Sequence, residues 1–229
     1  MSGALRLALL FGALLVLASG CASYSYDVKN LAKSDIDLVT DEFIDETRAL
    51  VLELTVKLYR RNPDQLSRGA RSSADERLAQ LRESSGVLAF AELGSAQELE
   101  ALELVFDPDF AGDRVFALVV GLGGMLRLAY GYNTETFMFD SLNTELLETS
   151  ARNTEILLWR LKKNRRPSGR PWLITSEYQG VVDNLSFERL FGKLIALQDM
   201  MARIADDSTN RAVTKTVRTA TSVFIPLPI

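Results

Sequence analysis

The sequence predicts an all-α protein, a single-domain multi-helix bundle or irregular helical array with a buried glycine-containing central helix. Apolar residues recur at spacings of three and four along most of the chain, which is the period of an amphipathic helix. Ser73 and Ser95 each precede a glutamate by three residues, the spacing of an N-terminal capping box. No alternating strand pattern extends beyond a few residues, and 172–175 is the best strand candidate.

The first helix is predicted to run from Ser34 to the Asn62-Pro63 pair, because proline ends a helical pattern. Its apolar positions form one stripe: Ile44, Thr47, Val51, Leu54 and Leu58. The two capping boxes predict short helices that start at Ser73 and Ser95. A turn is expected at 107–113.

The central helix is predicted over Val115 to Met125, where nearly every residue is apolar. This segment is too short and too rich in glycine for a confident membrane span. Ala117, Gly121 and Gly124 fall on one face, and each glycine costs a helix up to about 1 kcal/mol relative to alanine. We therefore expect another helix to approach this face closely.

Three further helical patterns follow the break at 130–133. They cover 142–163, 186–205 and 209–222, and a short apolar patch at 137–139 precedes them. The chain ends on the apolar segment 223–229, in which Pro226 and Pro228 prevent a helix. We expect this tail to dock in an extended conformation, in a groove of the same domain or on a partner or membrane.

Composition excludes several functional classes. The 229 residues include no histidine and one cysteine, so histidine-dependent nucleophiles, imidazole metal ligands and internal disulfides are excluded. With 26 Lys+Arg and 30 Asp+Glu, the net charge of -4 does not favour nucleic-acid binding. The sequence predicts no cofactor.

The N-terminus has the form of an export signal. Arg6 is followed by an uncharged run over 7–18, by small residues and by Cys21. That run is shorter than the roughly 20 residues of a membrane span and fits a signal peptide. The segment Leu17-Ala18-Ser19-Gly20-Cys21 resembles the lipobox of bacterial lipoproteins. The alternatives are an ordinary signal peptide or an N-terminal helix that buries the cysteine.

The resemblance implies cleavage before Cys21 and acylation of that residue, by a diacylglyceryl group on its thiol and usually by an acyl chain such as palmitate on its amine. Two or three acyl chains anchor a protein without a membrane-spanning helix. The lipoprotein class uses Asp after the cysteine for inner-membrane retention, whereas this chain has Ala22. The resemblance therefore implies the periplasmic face of the outer membrane of a Gram-negative bacterium. It divides the chain into a signal peptide (1–20), a lipidated cysteine and tether (21–33) and a helical domain (34–229).

The helical domain resembles uncharacterised helical lipoproteins of Gram-negative bacteria in 140–163 and 184–206, which implies no activity. Two groups of residues are candidate sites. The basic run is a possible patch for an anionic partner, formed by Arg160, Lys162, Lys163, Arg165, Arg166 and Arg170. Phospholipid head groups, lipopolysaccharide phosphates, a glycan or an acidic protein surface fit it, and a solvated helix end is the structural alternative.

The glycine-bearing helix and the tyrosines that follow it form the second candidate, a ligand contact made by Gly121, Gly124, Tyr130 and Tyr132. A core helix without a ligand is the alternative. Asp107, Asp109 and Asp113 do not match a calcium loop, because Ala111 and Leu118 occupy ligand positions. We expect Asp113 to lie at the N-terminus of the following helix instead.

Three functions remain open at this point. The first is a non-enzymatic accessory or scaffold protein of an envelope complex, attached to the membrane through acyl chains on Cys21 and bound to an envelope protein. The second is a periplasmic module that binds a lipid, glycan or small ligand. The third is a carboxylate-based enzyme that acts on glycans, for which Glu145 and Glu148 share a helix face.

Overall fold

The structure is a computed structural model that describes residues 33–136, 142–178, 181–182 and 184–222. The predicted all-α fold is confirmed. The helices are α1 (Asp35–Arg61), α2 (Ala74–Glu83), α3 (Glu98–Phe106), α4 (Arg114–Ala129), α5 (Thr144–Lys163) and α6 (Ser186–Ser222). Short 3-10 helices cover Pro63–Arg68 and Ala91–Leu93, and the two-residue strands β1 (Glu177–Tyr178) and β2 (Val181–Val182) pair antiparallel.

Of the two predicted N-terminal capping boxes, the one at Ser73 is confirmed and the one at Ser95 is wrong. The Ser73 hydroxyl accepts the backbone N–H of Glu76 at 3.2 Å and begins α2. Ser34 caps α1 in the same way, in a reciprocal box with Asp37. Ser95 instead has φ 60° and donates its N–H to the carbonyl of Phe90, so it closes the turn after the second 3-10 helix. As a result α3 begins only at Glu98.

Helix α4 is the centre of the core, and its residues from Val115 to Val120 have no exposed surface. It packs against α1, α3 and α5. A Cβ at Gly121 would lie 2.6 Å from the carbonyl oxygen of Glu98 and 2.7 Å from Cγ of Leu102. The predicted packing reason for glycine is therefore confirmed at Gly121, where α3 approaches α4 more closely than any side chain permits.

Helices α5 and α6 form an antiparallel pair. Arg152 binds Asp199 near the middle of α5, and Lys162 binds Glu188 at its C-terminal end. The two predicted helices at 186–205 and 209–222 are one continuous helix. The intervening residues contain no glycine or proline, and the Ser208 hydroxyl donates to the carbonyl of Ala205, so nothing interrupts the backbone hydrogen bonds.

The strand predicted at 172–175 is wrong, because this segment consists mainly of bends and forms no strand. Its backbone is bound by a side chain, because Ile174 donates its N–H to Asn62 Oδ1 at 2.7 Å and accepts from Asn62 Nδ2 at 2.9 Å. Asn62 thus ends α1 and holds the loop after α5. None of the helices in the described ranges has a stretch long and apolar enough to cross a bilayer.

Several predicted features lie outside the described residues. They are the signal peptide and Cys21, most of the tether, the apolar patch at 137–139 and the tail at 223–229.

The close contact at Gly121 predicts that adding one methyl group there lowers the stability of the fold. Gly121→Ala places Cβ against the backbone of α3, and we expect it to lower the free energy of unfolding by about 1–3 kcal/mol, as overpacking does. Gly192→Ala is the matched control in α6, because a Cβ there meets nothing within 4 Å. It should stabilise the protein by up to about 1 kcal/mol. Urea unfolding of both variants measures the difference, and equal stabilities would contradict the packing of α3 on α4.

Candidate anion-binding cleft

A cleft of about 760 Å³ lies between the 3-10 helix Pro63–Arg68 and the loop that follows α5. This volume is within the range of small-molecule sites, roughly 300–1,000 Å³. Its charged lining consists of Arg68, Arg165, Arg166, Arg170, Asp64 and Glu177. Four cations therefore face two anions around one concave surface.

The loop after α5 folds back on itself and brings three of these arginines together. Arg166 donates its backbone N–H to the carbonyl of Arg170, and Gly169 donates to the carbonyl of Arg166, each at 2.8 Å. Gly169 has φ 78°, a conformation that glycine adopts without strain. The Arg166 guanidinium also donates to the carbonyl of Trp172 at 2.9 Å, which fixes this side chain against the loop.

The opposite wall is held by two amide side chains. Asn62 binds both backbone groups of Ile174, as described above. Gln65 accepts the backbone N–H of Arg114 at 3.0 Å and donates to Asp64 at 2.8 Å. Both walls are thus fixed by hydrogen bonds to the core, and the cleft is preformed.

Arg114 lies next to this cleft in the interior and is 3% exposed. Its guanidinium donates to the carbonyls of Leu104, Val105 and Phe110, and no carboxylate within the described residues forms an ion pair with it. The Trp172 ring contacts two arginines, with its centroid 4.7 Å from Cζ of Arg114 and 5.3 Å from Cζ of Arg166. Such contacts with the ring face attract cations.

Electrostatics mark this region as positive. Burial lowers the pKa of Arg114, and the positive charges of Arg166 and Arg68 lower it further, against a smaller opposing effect of Asp107. Repulsion by these two neighbouring arginines is therefore the second cause of the lowered pKa of Arg114, after burial. A negative group in the cleft would relieve this repulsion.

The structure divides the predicted basic patch into two parts. Arg160 binds Glu103 through both nitrogens, at 2.5 and 2.8 Å, and Lys162 binds Glu188. These two side chains and Lys163 belong to the end of α5 and do not line the cleft. Arg165, Arg166 and Arg170 line it, although Arg165 also pairs with Glu177 at 3.1 Å. Arg68 joins them from a distant part of the chain.

The second predicted site is also divided. Tyr130 and Tyr132 line an apolar pocket of about 60 Å³ together with Gly123. Gly121 and Gly124 instead face Glu98 and α3, so the four residues do not line one pocket. The Tyr132 hydroxyl donates to Glu98 Oε1 at 2.7 Å. Burial raises the pKa of each tyrosine to about 12.

The predicted role of Asp113 at a helix N-terminus is confirmed. Its carboxylate accepts the N–H of Phe116 at 2.9 Å and caps α4. Asp109 donates its own N–H to Asp107, which forms a tight turn. Within the described residues no group of three or more acidic or cysteine side chains is arranged to hold a metal ion.

Asp113 also belongs to a buried charge network that the sequence did not reveal. Arg77 has no exposed surface and binds both oxygens of Glu92, at 2.5 and 2.7 Å, and Asp113 at 3.4 Å. The Tyr59 hydroxyl donates to Asp113 at 2.7 Å. The Arg77 guanidinium lies 3.9 Å from the centre of the Phe116 ring.

This network shifts the titration of its members in opposite directions. Burial raises the pKa of Asp113, against hydrogen bonds from Phe116 and Tyr59 and the charge of Arg77. Burial acts the same way on Glu92, but hydrogen bonds from Arg77 and from the Ala70 N–H, with the charge of Arg77, outweigh it and lower the pKa of Glu92. The network is a structural element, because its members pack among core side chains.

Comparison with protein-family models, with curated proteins and with solved structures gives no match to this chain.

The lowered pKa of Glu92 predicts a pH dependence of stability. In the unfolded chain Glu92 takes up a proton near its ordinary pKa of 4.5, whereas the folded protein keeps it ionised to lower pH. The carboxylate therefore stabilises the fold above that pH and ceases to do so as the pH falls through the folded-state pKa. We expect Glu92→Gln to be less stable than the wild type at neutral pH, by about 1–3 kcal/mol.

The difference in unfolding free energy between the two proteins should shrink as the pH falls from neutral to below 4.5. Urea unfolding at a series of pH values measures it. Glu83→Gln, an exposed position in α2, is the control and should change little. A difference between wild type and Glu92→Gln that grows towards low pH would refute the ion pair with Arg77.

Proposed function

We propose that the protein is a lipid-anchored, periplasm-facing outer-membrane lipoprotein that serves as a non-enzymatic accessory or scaffold protein of an envelope complex. The observation that carries this proposal is the motif Leu17-Ala18-Ser19-Gly20-Cys21, placed directly after an uncharged signal-like run. The only cysteine of the chain stands at the position that the lipoprotein class acylates. A helical domain begins shortly afterwards at Ser34 and Asp35.

The scaffold role is supported by an exposed apolar surface on α5. Ile156 is 53% exposed and Trp159 is 59% exposed, and the two lie three residues apart on one helix face. Exposed tryptophan is unusual on a surface that contacts only water, and it is enriched among the residues that dominate binding at protein interfaces.

Charged pairs flank this apolar surface along the helix. Arg152 binds Glu155 and Asp199 one turn before Ile156, and Arg160 follows Trp159 and binds Glu103. An apolar centre within a polar rim is the usual anatomy of a protein–protein interface. We therefore assign the docking of an envelope protein to the surface around Ile156 and Trp159.

The proposed lipidation predicts that the Cys21 thiol is needed to hold the protein on the membrane. Wild-type protein should fractionate with outer membranes and carry acyl chains on Cys21, detected by mass spectrometry. Cys21→Ser lacks the thiol and should lose the acyl chains and the outer-membrane location. Ala22→Asp is the matched control, because it keeps the lipid and introduces the inner-membrane retention signal of the class. A wild-type protein without lipid would contradict the proposal.

The docking surface predicts a specific loss of a partner. When the lipidated protein is purified gently from native membranes, an envelope protein should accompany the wild type. Trp159→Ser should reduce its recovery about tenfold or more, because truncation of a central aromatic residue commonly weakens binding by at least 2 kcal/mol. Val87→Ser removes an exposed apolar side chain from the loop after α2 and should leave recovery unchanged. Equal recovery with both variants would exclude this surface.

A further inference from the structure

We propose that the arginine-lined cleft between Pro63–Arg68 and the loop after α5 binds a phosphate-bearing ligand with about two negative charges. The inference goes beyond the proposed function, because it assigns a ligand site whose existence does not depend on the lipid anchor or on the docking surface.

The charges of the lining residues are only partly balanced within the protein. Arg165 pairs with Glu177 at 3.1 Å, and Arg68 pairs loosely with Asp64 at 3.7 Å, where both side chains are largely exposed. Arg170 makes no ion pair or side-chain hydrogen bond to any described residue. Arg166 donates to the carbonyl of Trp172 and has no carboxylate partner among the residues that the structure describes. Two cleft arginines therefore keep their full charge for a ligand.

Two buried nitrogens beside the cleft lack an acceptor. Nε of Arg166 and Nε of Arg114 are both inaccessible to solvent and have no hydrogen-bond partner among the described residues. Buried donors are nearly always satisfied in folded proteins, so each unsatisfied one needs an explanation. Both guanidinium groups lie against the Trp172 ring, which places the two donors in one region. Both atoms are closed to a water molecule, so an anion in the cleft would act on these two guanidinium groups as a counter-charge and not as a hydrogen-bond acceptor for Nε.

Arg114 is a buried positive charge beside the cleft. It is only 3% exposed and has no carboxylate partner within the described residues. A buried charge without a counter-charge is costly. The fold nevertheless keeps it beside Arg68 and Arg166, whose charges oppose its ionised form. A negative ligand would turn this repulsion into a net attraction.

The composition of the site favours phosphate. Every basic residue that lines the cleft is an arginine, and none is a lysine. The planar guanidinium presents paired N–H donors that match two oxygens of one phosphate group, and it is the residue of choice for phosphate recognition. The volume of about 760 Å³ admits a phosphate ester with a further organic group.

The same phosphate chemistry is present in a lipid head group and in a soluble phosphate ester, and two arms of one experiment separate them. In the first arm, isothermal titration calorimetry measures inorganic pyrophosphate binding to the full chain in a non-ionic detergent. In the second arm, sedimentation measures the recruitment of a Cys21→Ser protein to phosphatidylcholine vesicles with or without phosphatidic acid. Binding in the first arm alone indicates soluble phosphate esters, and binding in both arms indicates that the site also accepts a head group.

Three variants test where the ligand binds. Arg166→Gln and Arg170→Gln remove a cleft charge each and should weaken pyrophosphate binding about tenfold or more, as expected for the loss of a charged hydrogen bond. Lys163→Gln removes the same charge just outside the cleft and should have little effect. Circular dichroism confirms that each variant is folded. Arg170 is exposed and bonds to no core side chain, so its variant remains informative if Arg166→Gln does not fold.

Two results would overturn the proposal. One is the absence of binding in both arms. The other is an equal loss in Lys163→Gln and Arg170→Gln, which would show a diffuse charge effect and not a site. Neither result depends on lipidation or on the recovery of a partner, so the failure of this inference is distinguishable from the failure of the proposed function.

Discussion

The fold depends on the burial of one positive charge. Arg77 is completely enclosed, and several kcal/mol would be lost if it were buried without its carboxylates. Glu92 reaches it from the second 3-10 helix and Asp113 from the start of α4, and Tyr59 on α1 donates to Asp113. The Arg77 side chain packs directly against Gly69, where a Cβ would lie 2.0 Å from Arg77 Nη2, so only glycine fits at this position. These elements satisfy the charge only when all of them meet in one geometry, so the ion pairs select this arrangement over other packings of the same apolar helices.

The same network leads directly to the cleft. Asp113 holds Arg77 with one oxygen and caps α4 with the other. The next residue, Arg114, is thereby fixed in the interior, where its guanidinium binds carbonyls at the end of α3 and lies over Trp172. Its backbone N–H binds Gln65 in the cleft wall. A single turn at the start of α4 therefore positions the core ion pairs, the buried Arg114 behind the cleft and, through Gln65, one part of the cleft wall.

Local signals in the sequence predicted the helices, whereas tertiary contacts determined the site. The capping serine at Ser73 and the tight face at Gly121 were predictable, because both follow from backbone hydrogen bonding and sterics within or next to one helix. The capping box predicted at Ser95 was wrong, because the N–H of Ser95 closes the turn after the preceding 3-10 helix. Arg77 has the sequence context of a solvated helix residue, and Arg68 is far from the basic run. No periodicity or spacing indicates that Arg77 meets carboxylates from other elements, or that Arg68 lines the same cleft as the arginines of the loop after α5.

The last turn of α5 separates the proposed docking surface from the cleft. Arg160 is bound to Glu103 on α3, and Lys162 is bound to Glu188 on α6, so the last turn of α5 is held on both sides. Trp159 precedes these pairs, and the cleft loop follows them. A partner on Trp159 and an anion beside Arg166 therefore contact different residues, with a fixed helical turn between them. The two sites share no residue, so neither ligand competes with the other for the same side chains.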